Sequence, residues 1–142
     1  MKKYILMLLF IVAVTGCNNN DDGNNRNPYL PDYGFSITIN MEQPLYSQLN
    51  FTGNAVRVTN GEAGALGVII VMNTGSGFVA YDGACPNQAL SECSLLEING
   101  ITAVCPCDDA EYNLFNGLGP GAYPLKNYRV ELVSNSVLRV YN

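Results

Sequence analysis

The chain contains no histidine. That absence removes the Ser-His-Asp triad, the Cys-His pair and every His-ligated zinc site from the chemistry the chain can carry by itself. Positive charge is scarce as well. Seven Lys+Arg stand against 12 Asp+Glu in 142 residues, a balance that disfavours nucleic acid as a partner. No segment shows a helical period of useful length, and no internal repeat is present. The glycine-rich stretch Gly61-Glu-Ala-Gly-Ala-Leu-Gly67 lacks the Gly-Lys-Ser/Thr ending and following helix of a phosphate loop, so it reads as a turn before a buried strand. The apolar stretch Tyr4 to Val14 is too short to cross a bilayer as a stable helix.

That stretch has a different meaning in context. Met-Lys-Lys followed by a short apolar core is the n-region and h-region of a signal peptide. Val14-Thr15-Gly16-Cys17 then resembles the lipobox at which bacteria attach diacylglycerol to the thiol and cleave before it. The expectation is a signal peptide over residues 1–16 and an acylated Cys17 at the head of the mature chain. Each buried methylene contributes about 0.8 kcal/mol, so several acyl chains on one cysteine hold the protein to membrane lipid. Loss of Lys2 and Lys3 with the signal moves the net charge from -5 to -7. Residues 18–32, rich in Asn and Asp with Pro28 and Pro31, show no apolar period and are expected to form a flexible tether. The division is therefore 17–33 tether and 34–142 domain. Asp21 and Asp22 loosely resemble the surface-export signals of Bacteroidetes lipoproteins, although charges in a solvated linker have the same appearance. The expected location is the bacterial cell envelope, lipid-anchored at the outer membrane and facing the periplasm or the surface.

The domain reads as all-β. Ser36 to Asn40, Ala55 to Thr59 and Val137 to Tyr141 alternate apolar and polar residues at period two, as half-buried strands do. Gly67 to Met72 is a continuous apolar run, the pattern of a strand covered on both faces. Asn73-Thr-Gly-Ser-Gly77 turns it into Phe78 to Tyr81 as a hairpin. Further strands are expected at Leu95 to Ile98, Ile101 to Val104, Glu111 to Phe115 and Tyr128 to Val133. The tyrosines at 112, 123, 128 and 141 read as strand packing, and Asn50-Phe51-Thr52 as a chance sequon.

Four cysteines lie in the domain, at 85, 93, 105 and 107. An even number in an exported protein suggests disulfides. The same four could instead hold a metal.

Two segments carry a family resemblance. Phe78-Val-Ala-Tyr-Asp-Gly-Ala-Cys-Pro-Asn87 resembles the Rieske segment in which a strand runs into Cys-x-His, and Val104-Cys-Pro-Cys-Asp-Asp-Ala-Glu-Tyr-Asn113 resembles the second segment, Cys-Pro-Cys-His-Gly-Ser-x-Tyr. Seventeen residues, 88 to 104, separate Asn87 from Cys105, a family-like spacing. Gly67 to Val71 matches the strand before the first loop, and Gly119-Pro-Gly-Ala-Tyr-Pro124 through Val130 matches the Gly-Pro loop and closing strand. The likeness spans residues 51 to 141. It implies an antiparallel β-sandwich with a small inserted cluster-binding-type subdomain, here residues 84–116. A Rieske centre places two cysteines on one iron and two histidines on the other. Cys85 and Cys105 match the cysteine ligands, Asn87 and Asp108 stand at the histidine positions, Ala110 falls where many members have a serine, and Tyr112 keeps the tyrosine position. Cys93 and Cys107 match the cysteines that clamp the two loops in respiratory members, with three extra residues before Cys93. Cys85 and Cys105, placed where two thiolates share an iron, are implied to be within reach of their own disulfide. Either bridge closes a loop worth about 3 kcal/mol in the chain-entropy model.

The resulting expectation is a lipid-anchored, cluster-free Rieske-like domain, stapled by disulfides, acting as a structural or interaction module toward an unknown envelope protein. No cofactor and no enzymatic activity are expected. The alternative is an electron-transfer ferredoxin holding a [2Fe-2S] cluster on Cys85, Cys105 and Asp108. Structural zinc ranks below that. Thiol redox chemistry at Cys105-Pro-Cys107 also ranks low, because Asp108, Asp109 and Glu111 raise thiol pKa values.

Overall fold

The computed structural model describes residues 26–142. Cys17, the signal peptide and the first part of the tether lie outside them. The described strands are β1 (Ser36–Asn40), β2 (Ala55–Thr59), β3 (Val68–Asn73), β4 (Phe78–Asp82), β5 (Glu97–Asn99), β6 (Thr102–Cys105), β7 (Ala110–Asn113), β8 (Asn127–Ser134) and β9 (Val137–Tyr141). Every strand expected from the sequence is present, with ends shifted by a residue or two. Among the described residues the helical content is one 3-10 segment, Ser47–Asn50, and no helix is long and apolar enough to cross a membrane.

All pairings are antiparallel. Six strands form one sheet in the order β1-β9-β8-β4-β3-β2, and β5-β6-β7 form a second, smaller sheet. The larger sheet is joined at its middle by only two residue pairs, Ala80 with Tyr128 and Tyr81 with Asn127. It curls there. Ile37 and Ile39 from one edge strand share a core with Val56 and Val58 from the other edge, together with Ile69, Val71, Leu138 and Val140. The two halves therefore face one another as a sandwich.

β3 explains how the smaller sheet is attached. Val68 to Met72 are all buried. Ile69 and Val71 point into the sandwich core, while Ile70 and Met72 point the other way, into a second core with Tyr81, Leu96, Ala103, Tyr112, Leu114 and Leu125. Burial of such side chains contributes about 1.5–3 kcal/mol each, so the continuous apolar run is the adhesive between the sandwich and the small sheet. The Arg57 guanidinium on β2 donates to the Leu96 carbonyl and ties the same two parts together.

The chain between β2 and β3 is a turn, as its glycine content suggested: Asn60 N–H donates to the Gly67 carbonyl at 2.9 Å. The tether expectation needs correction at its C-terminal end. From Asn27 onward the chain is held against the domain. The Asn27 amide donates to the Pro86 carbonyl at 2.6 Å, and Leu30 is 1% exposed. The Lys126 ammonium, itself buried, donates to the carbonyls of Leu30 at 3.3 Å and Pro31 at 2.8 Å and to the Asp32 carboxylate at 2.6 Å. One apolar side chain and one buried cation therefore dock a segment whose composition is that of a linker.

Candidate functional site

Two loops meet at the end of the second core. The first leaves β4 at Asp82, whose buried carboxylate accepts from Ala84 N–H at 2.9 Å, Ala65 N–H at 2.8 Å and the Tyr128 hydroxyl at 2.6 Å. Three donors on one carboxylate hold the strand-to-loop exit in place. Ser94, also buried, knots the same loop: its hydroxyl accepts from Ser91 N–H at 2.8 Å, and its carbonyl accepts from Cys85 N–H at 2.8 Å. The second loop is the tight β6–β7 connection, Pro106 to Asp109. Asp109 N–H donates to the Cys105 carbonyl at 2.9 Å. Asp109 sits at φ 57°, a left-handed conformation that aspartate tolerates better than most residues.

Two disulfides join the loops, Cys85–Cys105 and Cys93–Cys107, with Cα separations of 5.6 and 5.1 Å. The first is buried, with both cysteines 1% exposed. In the second, Cys93 is exposed and Cys107 half-buried. Among the described residues, the sulfurs of Cys85, Cys105 and Cys107 form a group within 4.8 Å of one another.

Asn87 and Asp108 have other occupations. The Asn87 amide donates to the Tyr112 hydroxyl at 2.9 Å and to the Tyr123 carbonyl at 2.8 Å, with a longer contact to the Pro120 carbonyl at 3.4 Å. Its oxygen accepts from Tyr123 N–H at 2.9 Å. Asn87 thus fastens the loop from Gly117 to Pro124 onto the first cysteine loop. That approach requires glycine twice. A Cβ on Gly119 would overlap the Tyr112 ring, and one on Gly121, at φ +96°, would lie 2.7 Å from the Asn87 side-chain carbon. Asp108 is exposed and its carboxylate accepts from Ala110 N–H at 3.1 Å, closing its own turn. It stands outside the sulfur group; the structure places Cys107 there instead.

The electrostatics are acidic. Glu92, Asp108, Asp109 and Glu111 are all exposed around the two loops. Burial raises the Tyr112 hydroxyl pKa; the bond from Asn87 opposes this and the Asp108 charge adds to it. As donors for a [2Fe-2S] cluster of the two-Cys, two-His type, the residues present do not fit. The two cysteine sulfurs are bonded to each other, the Asn87 amide is consumed in holding a loop, and the Asp108 carboxylate is turned to solvent.

Sequence reasoning singled out the four cysteines, Asn87, Asp108, Ala110 and Tyr112, and the fold gathers them at one end. It passed over Asp82, Ser91 and Ser94, and it read Tyr123 as strand packing, whereas Tyr123 lies in the loop before β8 with its backbone bonded to Asn87. The Ser-x-x-Ser spacing around Cys93 is a local turn signal that could have flagged the serines; the Asp82–Tyr128 bond, 46 residues apart, had none.

The fold and site together define an all-β domain with two loops clamped by paired disulfides. At the other end of the chain, residues 1–18 match the family described as prokaryotic membrane lipoprotein lipid attachment site, which supports a lipid anchor in the envelope. No curated protein sequence matches the chain. Solved structures similar to it include a chain of the complex of reduced oxygenase and oxidized ferredoxin in carbazole 1,9a-dioxygenase, at 22% identity and TM-score 0.48, covering 75% of this chain and 92% of that one. A putative NADH-dependent nitrite reductase small subunit from Mycobacterium tuberculosis is 14% identical with TM-score 0.47, covering 78% and 97%. The ferredoxin of carbazole 1,9a-dioxygenase from Nocardioides aromaticivorans IC177 is 14% identical with TM-score 0.44, covering 77% and 97%.

Proposed function

We propose that this protein is an envelope lipoprotein, acylated at Cys17 at the outer membrane, whose Rieske-like domain has lost its cluster. It serves as a disulfide-stapled structural or interaction module toward another envelope protein and not as an enzyme. The observation that carries the reading is the state of the four matching positions. Cys85 is bonded to Cys105, and Asn87 and Asp108 spend their polar atoms on loop closure. With no histidine in the chain, the nitrogen ligands of a Rieske centre would have to come from elsewhere. Asn27, ten residues after Cys17, is bonded to the first cysteine loop. Ten extended residues reach at most about 35 Å, which bounds how far the first cysteine loop can stand from the acylated cysteine.

The test is protein purified from envelope without chelators. The expected result is no visible absorbance, no stoichiometric iron or labile sulfide, and no free thiol among the four cysteines under denaturing conditions. Visible bands with stoichiometric iron and sulfide would sink the cluster-free reading. Globomycin treatment or Cys17→Ala should move the protein out of the membrane fraction, and crosslinking in native envelope identifies the partner.

One observation favours the alternative, a ferredoxin with altered ligation. Three sulfurs, those of Cys85, Cys105 and Cys107, converge within 4.8 Å, and as thiolates they would be soft ligands for iron. The same iron and sulfide measurement separates the two readings.

A further inference from the structure

We propose that the two disulfides form a relay in which a dithiol reduces the exposed Cys93–Cys107 bond and Cys107 passes the reducing equivalents to the buried Cys85–Cys105 bond. This goes beyond stapling and rests on the same reading of the four cysteines as disulfides.

Three observations converge. Accessibility is graded: Cys93 is exposed, Cys107 is half-buried, and Cys85 and Cys105 are each 1% exposed. An external thiolate can meet only the outer bond. Next, the Cys107 sulfur lies within 4.8 Å of both sulfurs of the inner bond. Once freed, it starts within a few ångströms of the bond it is to attack. Finally, the Ser91 hydroxyl lies 3.3 Å from the Cys93 sulfur and 3.7 Å from the Cys107 sulfur. It is placed to donate to whichever of the two is expelled as thiolate, and a hydrogen bond to the charged form makes that sulfur a better leaving group.

A thiolate of the dithiol attacks Cys93, forming a mixed disulfide and expelling Cys107 as a thiolate. Cys107 attacks Cys85; the Cys85–Cys107 bond forms, and Cys105 leaves as a thiolate and takes a proton from water. The second thiolate of the donor attacks its own mixed disulfide, departs as an oxidised disulfide and frees Cys93. Cys93 then attacks Cys107, restoring the outer bond and releasing Cys85, which takes a second proton. The donor loses two electrons and two protons, the inner pair gains them, and the outer pair ends as it began. Glu92, Asp108, Asp109 and Glu111 around the loops repel an approaching thiolate, so the relay runs slowly and suits stoichiometric sensing better than rapid turnover.

The experiment uses the acylated protein in detergent with dithiothreitol as donor. Samples are quenched in acid at intervals, thiols are blocked with a maleimide, and disulfide-linked peptides are mapped by mass spectrometry. The relay predicts a transient Cys85–Cys107 peptide pair before the inner bond is lost. Removal of both outer cysteines, Cys93→Ala with Cys107→Ala, should slow reduction of Cys85–Cys105 at least tenfold, and Ser91→Ala should slow the first step several-fold. Equal inner-bond rates in the double variant, or no Cys85–Cys107 pair in the unaltered protein, overturns the relay while leaving the staples intact. A misfolded double variant would lose its inner bond faster, and the transient in the unaltered protein then decides alone. Cysteines already alkylated at time zero, or bound iron, overturn the disulfide reading itself and the relay with it.

Discussion

Replacement of Asn87 by alanine removes the side chain that joins the first cysteine loop to the loop ending at Pro124. Three well-formed hydrogen bonds go with it: the amide to the Tyr112 hydroxyl at 2.9 Å, the amide to the Tyr123 carbonyl at 2.8 Å, and Tyr123 N–H to the amide oxygen at 2.9 Å. The contact to Pro120 at 3.4 Å is too long to weigh heavily. At a net contribution of about 1 kcal/mol each, with water able to replace part of the set at a half-exposed position, the loss should be about 2–3 kcal/mol. Urea unfolding with disulfides intact reads this as a midpoint lowered by about 1–2 M, given an ordinary denaturant slope. Asn87→Asp sharpens the test. The carboxylate can still accept from Tyr123 N–H, but it sets an anionic oxygen against the Tyr123 carbonyl where a donor stood. At pH 7 it should cost at least as much as alanine. Because the fold disfavours the charged form, the carboxyl pKa is raised in the folded state, and stability relative to the unaltered protein should recover as pH falls toward 4. A loss below about 0.5 kcal/mol for Asn87→Ala, or an aspartate variant indifferent to pH, would refute the assignment of Asn87 as the loop fastener.

Four further outcomes are expected. Lys126→Met keeps the buried stem and removes the donor to Leu30, Pro31 and Asp32; the Leu30 amide should exchange with solvent at least about tenfold faster, and unchanged protection would show that Leu30 docks unaided. The bond from Lys126 is also the first cause of the lowered Asp32 pKa, so NMR titration of that carboxyl should move up in the same variant. Burial raises the pKa of Tyr81, Tyr112 and Tyr128, with Asp82 adding to the effect at Tyr128. The fold therefore favours their neutral forms; that stability is fully present below the ordinary tyrosine value of about 10 and is lost as pH rises above it. Absorbance at 295 nm should show three tyrosines ionising only as the protein unfolds, and ionisation of the full tyrosine complement near pH 10 in a protein still folded by circular dichroism would count against their burial. Reduction of both disulfides opens loops of sequence separation 20 and 14, each worth about 3 kcal/mol alone and less than double together because the loops overlap; the midpoint by calorimetry should fall by at least about 10 °C, and an unchanged midpoint would mean the clamp adds no stability.

The strands were legible because their signal is local. Ile37 and Ile39, or Val56 and Val58, alternate with polar neighbours inside five residues, and the run from Val68 to Met72 declares two buried faces before any partner is known. The loops were legible through their cysteines and the motif around them. What stayed hidden depends on partners distant in the chain. Lys126 reads as a surface charge until Asp32 and two carbonyls, 94 to 96 residues away, enclose it. Leu30 is one apolar residue in a polar tract and carries no period, so nothing in its neighbourhood announces that it docks. Asp108 has ligand chemistry, yet an exposed turn gives it a backbone amide to accept from and takes it away from the sulfurs.

By itself the sequence determined what local pattern and composition can specify: an all-β domain, a leading segment that matches a lipoprotein lipid attachment site, and four domain cysteines with no histidine to accompany them. The family resemblance implied both cysteine pairs, but the tertiary structure decided that the sulfurs meet, because this depends on how the β4 exit and the β6–β7 turn are brought together over a shared core. It also decided that Asn87 is a fastener: an amide can hold a loop or remain idle, and only the approach of Gly119, Gly121 and Tyr123 supplies its partners.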